Sequence, residues 1–577
     1  MDRIDEVEFN RYYNISDLQK SDQLLREISL NVLPSNSMSL ISKYGYLKQG
    51  DQFSSNRINS VFKYSQEKKY NVEYNIDYVS TRNNNIKSKW DRQNGNAFYT
   101  IDFIRPGINY TYEDKEDIQK DSLLATSLKY LEVAPFVDIA ASSNIDLRAV
   151  YSYREESFPI NESFALQSRA YTQQYQLNLR GIKEFTSTLN ISFRSKKFTE
   201  EFKKTGYNDN QTILFLSQNR FNFFNNFITG DLFYQASTEQ STRLEKVFVK
   251  VPRGTGSYIY LGDLNNNGIP EENEFQLTTY DGEYIVVTIP TDQLFPVIDL
   301  KTNTRWKIDF NRIITSDDFF ANALKAISTE TVWRVEENSK ESTTSKIYLM
   351  HLNSFLNDST TIRGAQLFQQ DINLLQFSNE LSVRFRYIQR RNLNQFAQGT
   401  EKGFFKERGI RIRFKMIEEI NNQTEFINQI DNLISPPTSN RAREVNQNSV
   451  VTEFNYRPAS NIEAGLKILV SRSEDTYPLK PTTVDQNSIT LRATLSLANI
   501  GRLRIETERT ELISNSSNSN IPFEITRGNV IGKNYFWRVF FDYKIASYVQ
   551  TSFSYDGRLY GKGKVIHTMR AEARAYF

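Results

Sequence analysis

The chain has 577 residues and a formal net charge of +3, from 71 Lys and Arg against 68 Asp and Glu, so no charge bias points to nucleic acid. Hydrophobic residues make up 39% while aromatics reach 13%, with 32 Tyr, 40 Phe, 23 Gly and 14 Pro; this suits a wall with one thin apolar face and one wetted face better than tandem small sandwiches. Cysteine is absent, which excludes disulfide staples, thiolate metal sites and cysteine nucleophiles, and no apolar run of about 18 residues marks a membrane-spanning helix.

The start, Met1-Asp2-Arg3-Ile4-Asp5-Glu6, is polar and acidic and does not have the form of a signal peptide. The expectation is a mature or carboxy-terminal piece of a longer exported chain. Residues 1–55 read as a partly irregular segment, with residues 17–30 the best candidate for a helix. From residue 56 to 250 the period is 2: Tyr70, Val72, Tyr74, Ile76 and Tyr78 oppose Asn71, Glu73, Asn75 and Asp77, and Tyr171, Tyr175, Leu177 and Leu179 oppose Gln174, Gln176, Asn178 and Arg180. Side chains alternate across a strand, so each run has an apolar and a polar face.

Residues 251–301 carry tighter turns and read as a small inserted β element. Within it, residues 263–274 match the twelve-residue calcium loop, D-x-[DN]-x-[DN]-G-x5-E. Calcium takes six to eight oxygens from a loop wrapped around the ion. Asp263, Asn265 and Asn267 supply side-chain oxygens, Gly268 the sharp turn, Ile269 a carbonyl, Glu271 a ligand through water, and Glu274 a closing bidentate carboxylate. The flanks, Tyr258-Ile259-Tyr260 and Phe275-Gln276-Leu277, are strand-like, so the expected role of Ca2+ is structural. A plain Asn-Gly surface turn is the competing reading.

Alternation resumes over 302–577. Leu381, Val383, Phe385 and Tyr387 oppose Ser382, Arg384 and Arg386; Ile410, Ile412 and Phe414 oppose Arg411, Arg413 and Lys415; Ile489, Leu491, Ala493, Leu495 and Leu497 oppose Arg492, Thr494 and Ser496. The last strand alternates Met569, Ala571, Ala573 and Ala575 with Arg570, Glu572 and Arg574 and closes at Phe577. Runs of about 9–12 residues exceed ordinary soluble strands and match tilted membrane strands. If Phe577 ends on the periplasmic side, connections counted backwards alternate. Those at 546–547, 499–501, 458–461 and 417–420 are short; those at 557–564, 513–533, 473–486, 431–448 and 392–403 are longer. Outer-membrane barrels have short periplasmic turns and longer external loops.

The predicted fold is therefore all-β: a large antiparallel transmembrane β-barrel of roughly two dozen strands, carrying the small calcium-type insert, in a bacterial outer membrane. A barrel so wide conducts, holds a plug or accommodates a partner, and its outer face meets outer-membrane lipid. The inward rows Arg384, Arg386, Arg411, Arg413, Arg504, Arg570 and Arg574 alternate with Glu506, Glu508 and Glu572, as in a hydrated, mutually paired lumen lining. Catalysis is not expected: the histidines are His351 and His567, the latter in the final strand with no apparent partner, and no G-x-S-x-G, HExxH or P-loop occurs.

Three stretches carry a family resemblance: Tyr44-Gly45-Tyr46-Leu47-Lys48-Gln49-Gly50-Asp51-Gln52-Phe53, the run from Gly254 through Glu274 to Ile285, and Tyr387-Ile388-Gln389-Arg390-Arg391-Asn392. Together they resemble large outer-membrane proteins of the Bacteroidota and Chlorobi group, most nearly the SprA-like translocon barrel of type 9 secretion. That resemblance implies a non-enzymatic role in transport, protein secretion or surface assembly. The competing functions are a soluble extracellular calcium-binding β-rich adhesion protein and a barrel-embedded lipid hydrolase using His351.

Overall fold

The computed structural model describes residues 12–14, 22–66, 69–83, 86–253, 255–262, 274–340, 355–396, 399–436, 442–497, 500–516, 521–546 and 548–575. It divides into two compact units, Met1–Arg220 with Tyr234–Thr238, and Phe221–Phe233 with Glu239–Phe577.

The first unit is an antiparallel up-and-down meander. Its strands are β1 (Gln23–Ser35), β2 (Met38–Gln49), β3 (Phe53–Gln66), β4 (Tyr70–Asn83), β5 (Ile86–Tyr99), β6 (Ile104–Gln119), the short β7 (Ser122–Leu123), β8 (Leu128–Ser142), β9 (Ile145–Ile160), β10 (Ser163–Ile182), β11 (Phe185–Phe198) and β12 (Asn210–Phe223). β13 (Ile228–Lys250), β14 (Gly256–Tyr260), β15 (Phe275–Gly282) and β16 (Tyr284–Asp309) follow.

The second unit continues with β17 (Ile327–Ser339), β18 (Thr361–Leu374), β19 (Leu381–Phe396), β20 (Gly399–Ile417), β21 (Ile420–Ile434), β22 (Arg443–Ala459), β23 (Ile462–Asp475), β24 (Thr482–Leu497), β25 (Gly501–Ser514), β26 (Gly532–Ala546), β27 (Val549–Tyr560) and β28 (Ile566–Ala575). From β16 to β28 each strand pairs antiparallel with the next.

The predicted all-β class and long antiparallel strands hold in both units, and so does the alternation of connections in the second. At one end strands close tightly, through Ile417↔Ile420, Ala459↔Ile462, Leu497↔Gly501 and Ala546↔Val549. At the other they part at Leu433↔Arg443, Asp475↔Thr482 and Arg558↔Ile566. One connection corrects the sequence reading. Residues 392–403 are not a long loop, because β19 and β20 stay paired to Phe396↔Gly399. Polar residues there lengthen the hydrogen-bonded ladder instead of leaving it.

Three further points differ from expectation. Residues 23–30, inside the helix candidate, belong to β1, whose backbone is committed to β2 from Gln23↔Gln49 to Val32↔Leu40. Ladder pairing overrides a weak local helical pattern. The segment 1–55 accordingly holds β1 and β2. The inserted element has no edge at residue 301, since β16 runs through it to Asp309; its compact part is the hairpin β14–β15, paired from Tyr258↔Leu277 to Tyr260↔Phe275. Phe577, the expected close of the last strand, lies outside the described residues.

Burial is inverted relative to a water-soluble core. Ile489 (47% exposed), Leu491 (53%), Val470 (52%) and Phe426 (48%) face outward, while Ser488, Gln486, Ser471, Ser473 and Asp475 are buried on the opposite face. The outward apolar run on β23, from Ile462 to Val470, spans about 27 Å of strand at 3.3–3.4 Å per residue, or about 20 Å across the membrane after tilting, of the order of an outer-membrane apolar band. The fold is a transmembrane β-barrel wall of the outer-membrane type. No helix among the described residues is long and apolar enough to cross a membrane. The helix Phe319–Lys325 sits in the connection between β16 and β17, and Asp318 caps it by accepting from the Ala321 N–H at 2.8 Å. That bond, with one from Ser316, holds the Asp318 carboxyl below the usual carboxylate range.

On the apolar face Gly557 lies opposite Trp537, and the indole covers the space a Cβ would fill. An aromatic ring laid over a cross-strand glycine fixes register. Gly557→Ala is expected to destabilise the protein by about 1–3 kcal/mol through overpacking. Urea unfolding in detergent, followed by tryptophan fluorescence, measures it, and an unchanged midpoint contradicts the packing role.

Candidate functional site

The candidate site is the polar face of the sheet. In the second unit the register places charged side chains side by side across successive strands. Lys307 lies opposite Glu330, Glu330 opposite Asp371, and Asp371 opposite Arg386. Arg384 lies opposite Arg411, Arg411 opposite Glu425, Arg492 opposite Glu506, Glu506 opposite Arg538, and Arg538 opposite Asp556.

Most of these charges are paired. The Arg386 guanidinium donates to both Asp371 oxygens at 2.9 Å, a fork geometry that holds the planar group. Gln369 also donates to Asp371, at 3.0 Å. Arg411 pairs with Glu425, Arg305 with Glu330 at 2.7 Å, Arg492 with Glu453 at 2.6 Å, and Arg538 with Asp556 at 2.5 Å. Glu572 is held between Arg570 at 3.2 Å and Arg574 at 2.5 Å. Arg384 differs. It faces Arg411 directly, its Nε is shielded from solvent without an acceptor, and among the described residues no carboxylate lies within ion-pair distance. Like charges placed opposite each other destabilise a sheet, so this pair is a local concentration of positive charge.

Part of this face is covered by chain. Between β25 and β26, Ile525 is buried against Val445, Val484 and Leu512, with Ile521 alongside. Glu524 beside it accepts an ion pair from Arg443 at 3.0 Å, and Arg443 also holds Asp431 at 3.0 Å.

The first unit repeats the pattern by itself. Asp77 on β4 takes Arg57 at 2.8 Å from β3 and Arg92 at 2.6 Å from β5. The Arg92 guanidinium lies 4.2 Å over Trp90, and that of Arg57 lies 4.2 Å over Tyr12. Residues 12–14 rest on this face. Tyr13 is 1% exposed and packs on Leu47 and Phe53, its carbonyl accepts from Ser55 and Thr81, and Asn14 donates to Ser88 at 2.7 Å.

The Arg rows and their alternating Glu residues expected from sequence share one face, as read. Sequence pattern placed Asp77 on the polar face but missed its partners, and missed Asp371, Glu425 and Glu453, because alternation identifies a face but not the neighbour across the register. Of the calcium-loop residues, Asp263, Asn265, Asn267, Ile269 and Glu271 lie outside the described residues. Glu274 is described: it is wholly buried, its carboxylate accepts from the Tyr260 hydroxyl at 3.4 Å, and its carbonyl accepts from Leu261 N–H at 2.7 Å. Among the described residues no group of three or more His, Cys, Asp or Glu is arranged to hold a metal. His351 lies outside the described residues. His567, read as lacking a partner, has one: its Nδ1 meets the Tyr555 hydroxyl at 2.9 Å and the rings stack, on the apolar face beside Trp537.

No family model matches the chain, and no curated protein matches it. Solved structures it resembles include the siderophore receptor PirA from Pseudomonas aeruginosa, at 9% identity over 78% of this chain and 76% of that one, with a TM-score of 0.30. A mutant of the ferric enterobactin receptor PfeA from Pseudomonas aeruginosa matches at 6% identity over 96% and 80%, with a TM-score of 0.32. The copper transporter OprC matches at 9% identity over 85% and 72%, with a TM-score of 0.29. At such scores the assignment of the fold rests on the strands and their two faces.

The Asp77 triad gives a stability prediction. Asp77→Asn leaves the largely buried Arg57 and Arg92 without their shared carboxylate, at an expected cost of about 3–5 kcal/mol. Asp146→Asn, at the exposed Arg180 pair, is expected to change stability by less than about 1 kcal/mol. Parallel urea titrations of the two variants compare them; equal effects contradict the buried-triad assignment.

Proposed function

We propose that this chain is a non-enzymatic outer-membrane passage, with the charged face lining the path and the apolar face meeting lipid. The inverted burial carries the reading. Side chains that a soluble protein hides, such as Leu491 and Val470, are exposed, and the buried positions on those strands are polar except Val484, which packs under Ile525. Exposed apolar residues in a continuous band mark a membrane-facing surface. A paired charge lining keeps a lumen hydrated without a net field of one sign, which suits passage of polar cargo. The segments around Tyr13 and Ile525 narrow the polar face, each in its own unit, as a plug or partner seat does. Protein secretion of the SprA-like kind is the finer reading, supported by the three sequence stretches named above.

We also propose that residues 263–274 hold a structural calcium ion with Glu274 as the closing ligand, supported by the loop spacing and by the burial of Glu274. Bound there, the ion would staple the loop that joins β14 to β15.

Two experiments test these readings. The chain is expected to require detergent, to run at different gel positions before and after heating, and to conduct ions when added to planar bilayers. Detergent-free solubility with separable proteolytic domains would instead support an adhesion protein. Calcium at about 100 times its dissociation constant is expected to stabilise the fold by about 2.7 kcal/mol, read as slower proteolysis of the hairpin. Glu274→Gln or chelator removes that protection, and indifference to both contradicts the site.

A further inference from the structure

The apolar face has a boundary over β20–β23. One row reads Ile410, Phe426, Val450 and Val470, each opposite the next across the sheet. The row two residues along each strand reads Arg408, Asn428, Asn448, Arg472 and Asp485. Both rows line one groove of about 840 Å³. That volume lies within the range of small-molecule sites.

We propose that this groove binds a phospholipid of net negative charge from the surrounding membrane, with acyl chains against the Phe426–Val450–Val470 wall and the phosphate between Arg408 and Arg472. The inference rests on the membrane-wall reading of the preceding section. Charge complementarity selects the headgroup. Arg408 is exposed and among the described residues has no carboxylate within ion-pair distance. Arg472 is 73% exposed and is opposed only loosely by Asp485, at 3.9 Å. The Asn428 amide donates to Asn446 at 3.1 Å and to the Asn448 oxygen at 2.9 Å, which leaves the Asn448 N–H groups for an acceptor. Arginine and amide donors placed directly above an apolar wall match an amphiphile whose anionic head ends where its chains begin. A wholly polar solute would leave Val450 and Val470 uncovered; a lipid without net charge would leave the Arg408 guanidinium without a counter-anion and Arg472 with only the distant Asp485 carboxylate.

The test uses the full chain reconstituted in nanodiscs of mixed phosphatidylcholine and phosphatidylglycerol, then moved to detergent for native mass spectrometry of retained lipid. Phosphatidylglycerol is expected to be enriched about fivefold over its input ratio, the factor that matches about 1 kcal/mol for a basic residue at an anionic surface. The double variant R408Q/R472Q is expected to fall to the input ratio, and R408Q alone to an intermediate value that serves if the double variant does not fold. D485N, which frees Arg472, is expected to retain as much or more, and Lys562→Gln in the β27–β28 connection to behave as the parent. No enrichment in the parent, unchanged enrichment in R408Q/R472Q, or displacement by millimolar inorganic phosphate overturns the proposal. Failure of the membrane reading is read separately, as a chain that stays in the aqueous fraction and never enters the discs.

Discussion

Everything in this protein follows from one constraint: a wall in lipid must satisfy its backbone N–H and C=O groups without water. A ladder of antiparallel strands does so, because each strand hydrogen-bonds to both neighbours. Once the ladder is laid down, side chains have only two directions. Those toward lipid must be apolar or small, which accounts for exposed Leu491, Ile489 and Met569. Those on the other face are free to be charged, provided the charges find each other. The low overall hydrophobicity of the chain is therefore the composition of a one-residue-thick wall, not of a weak core.

The ion pairs of the polar face matter more for position than for energy. Pairs as exposed as Arg570 with Glu572 contribute little individually. Yet a slip of one residue would turn Arg386 toward lipid and break its fork with Asp371. The cross-strand charge pattern thus specifies register in a sheet whose polar face has little shape to lock it. The Asp77 triad and the indole over Gly557 do the same by burial and by sterics.

Much of this was legible from sequence because alternation is a local property. The faces of β19, β20, β24 and β28 follow from their own residues, and so does the side on which Arg384 and Arg411 lie. What alternation cannot show is who stands opposite whom. Asp371 as the partner of Arg386, and Tyr555 as the partner of His567, depend on register across separate strands. Loop lengths were read from polarity, which failed at residues 392–403, where polar side chains continue a hydrogen-bonded ladder. In the first unit the alternation of short and long connections fades for a physical reason: Gln49↔Phe53, Asn83↔Ile86 and Ile160↔Ser163 close as tightly as the turns at the other end. Over residues 23–30 the expected helix lost to an available strand neighbour, an outcome that depends on β2 and not on the segment itself.

The anchor at Ile525 bears on how freely the connection between β25 and β26 can change in sequence. A buried isoleucine and the Arg443–Glu524 pair tie it down, while Phe523 beside them stays 70% exposed. The β23–β24 connection is different, since Leu479 there is fully exposed. The tethered connection is then held near one sequence by its packing contacts, while the stretch around Leu479 is free to vary.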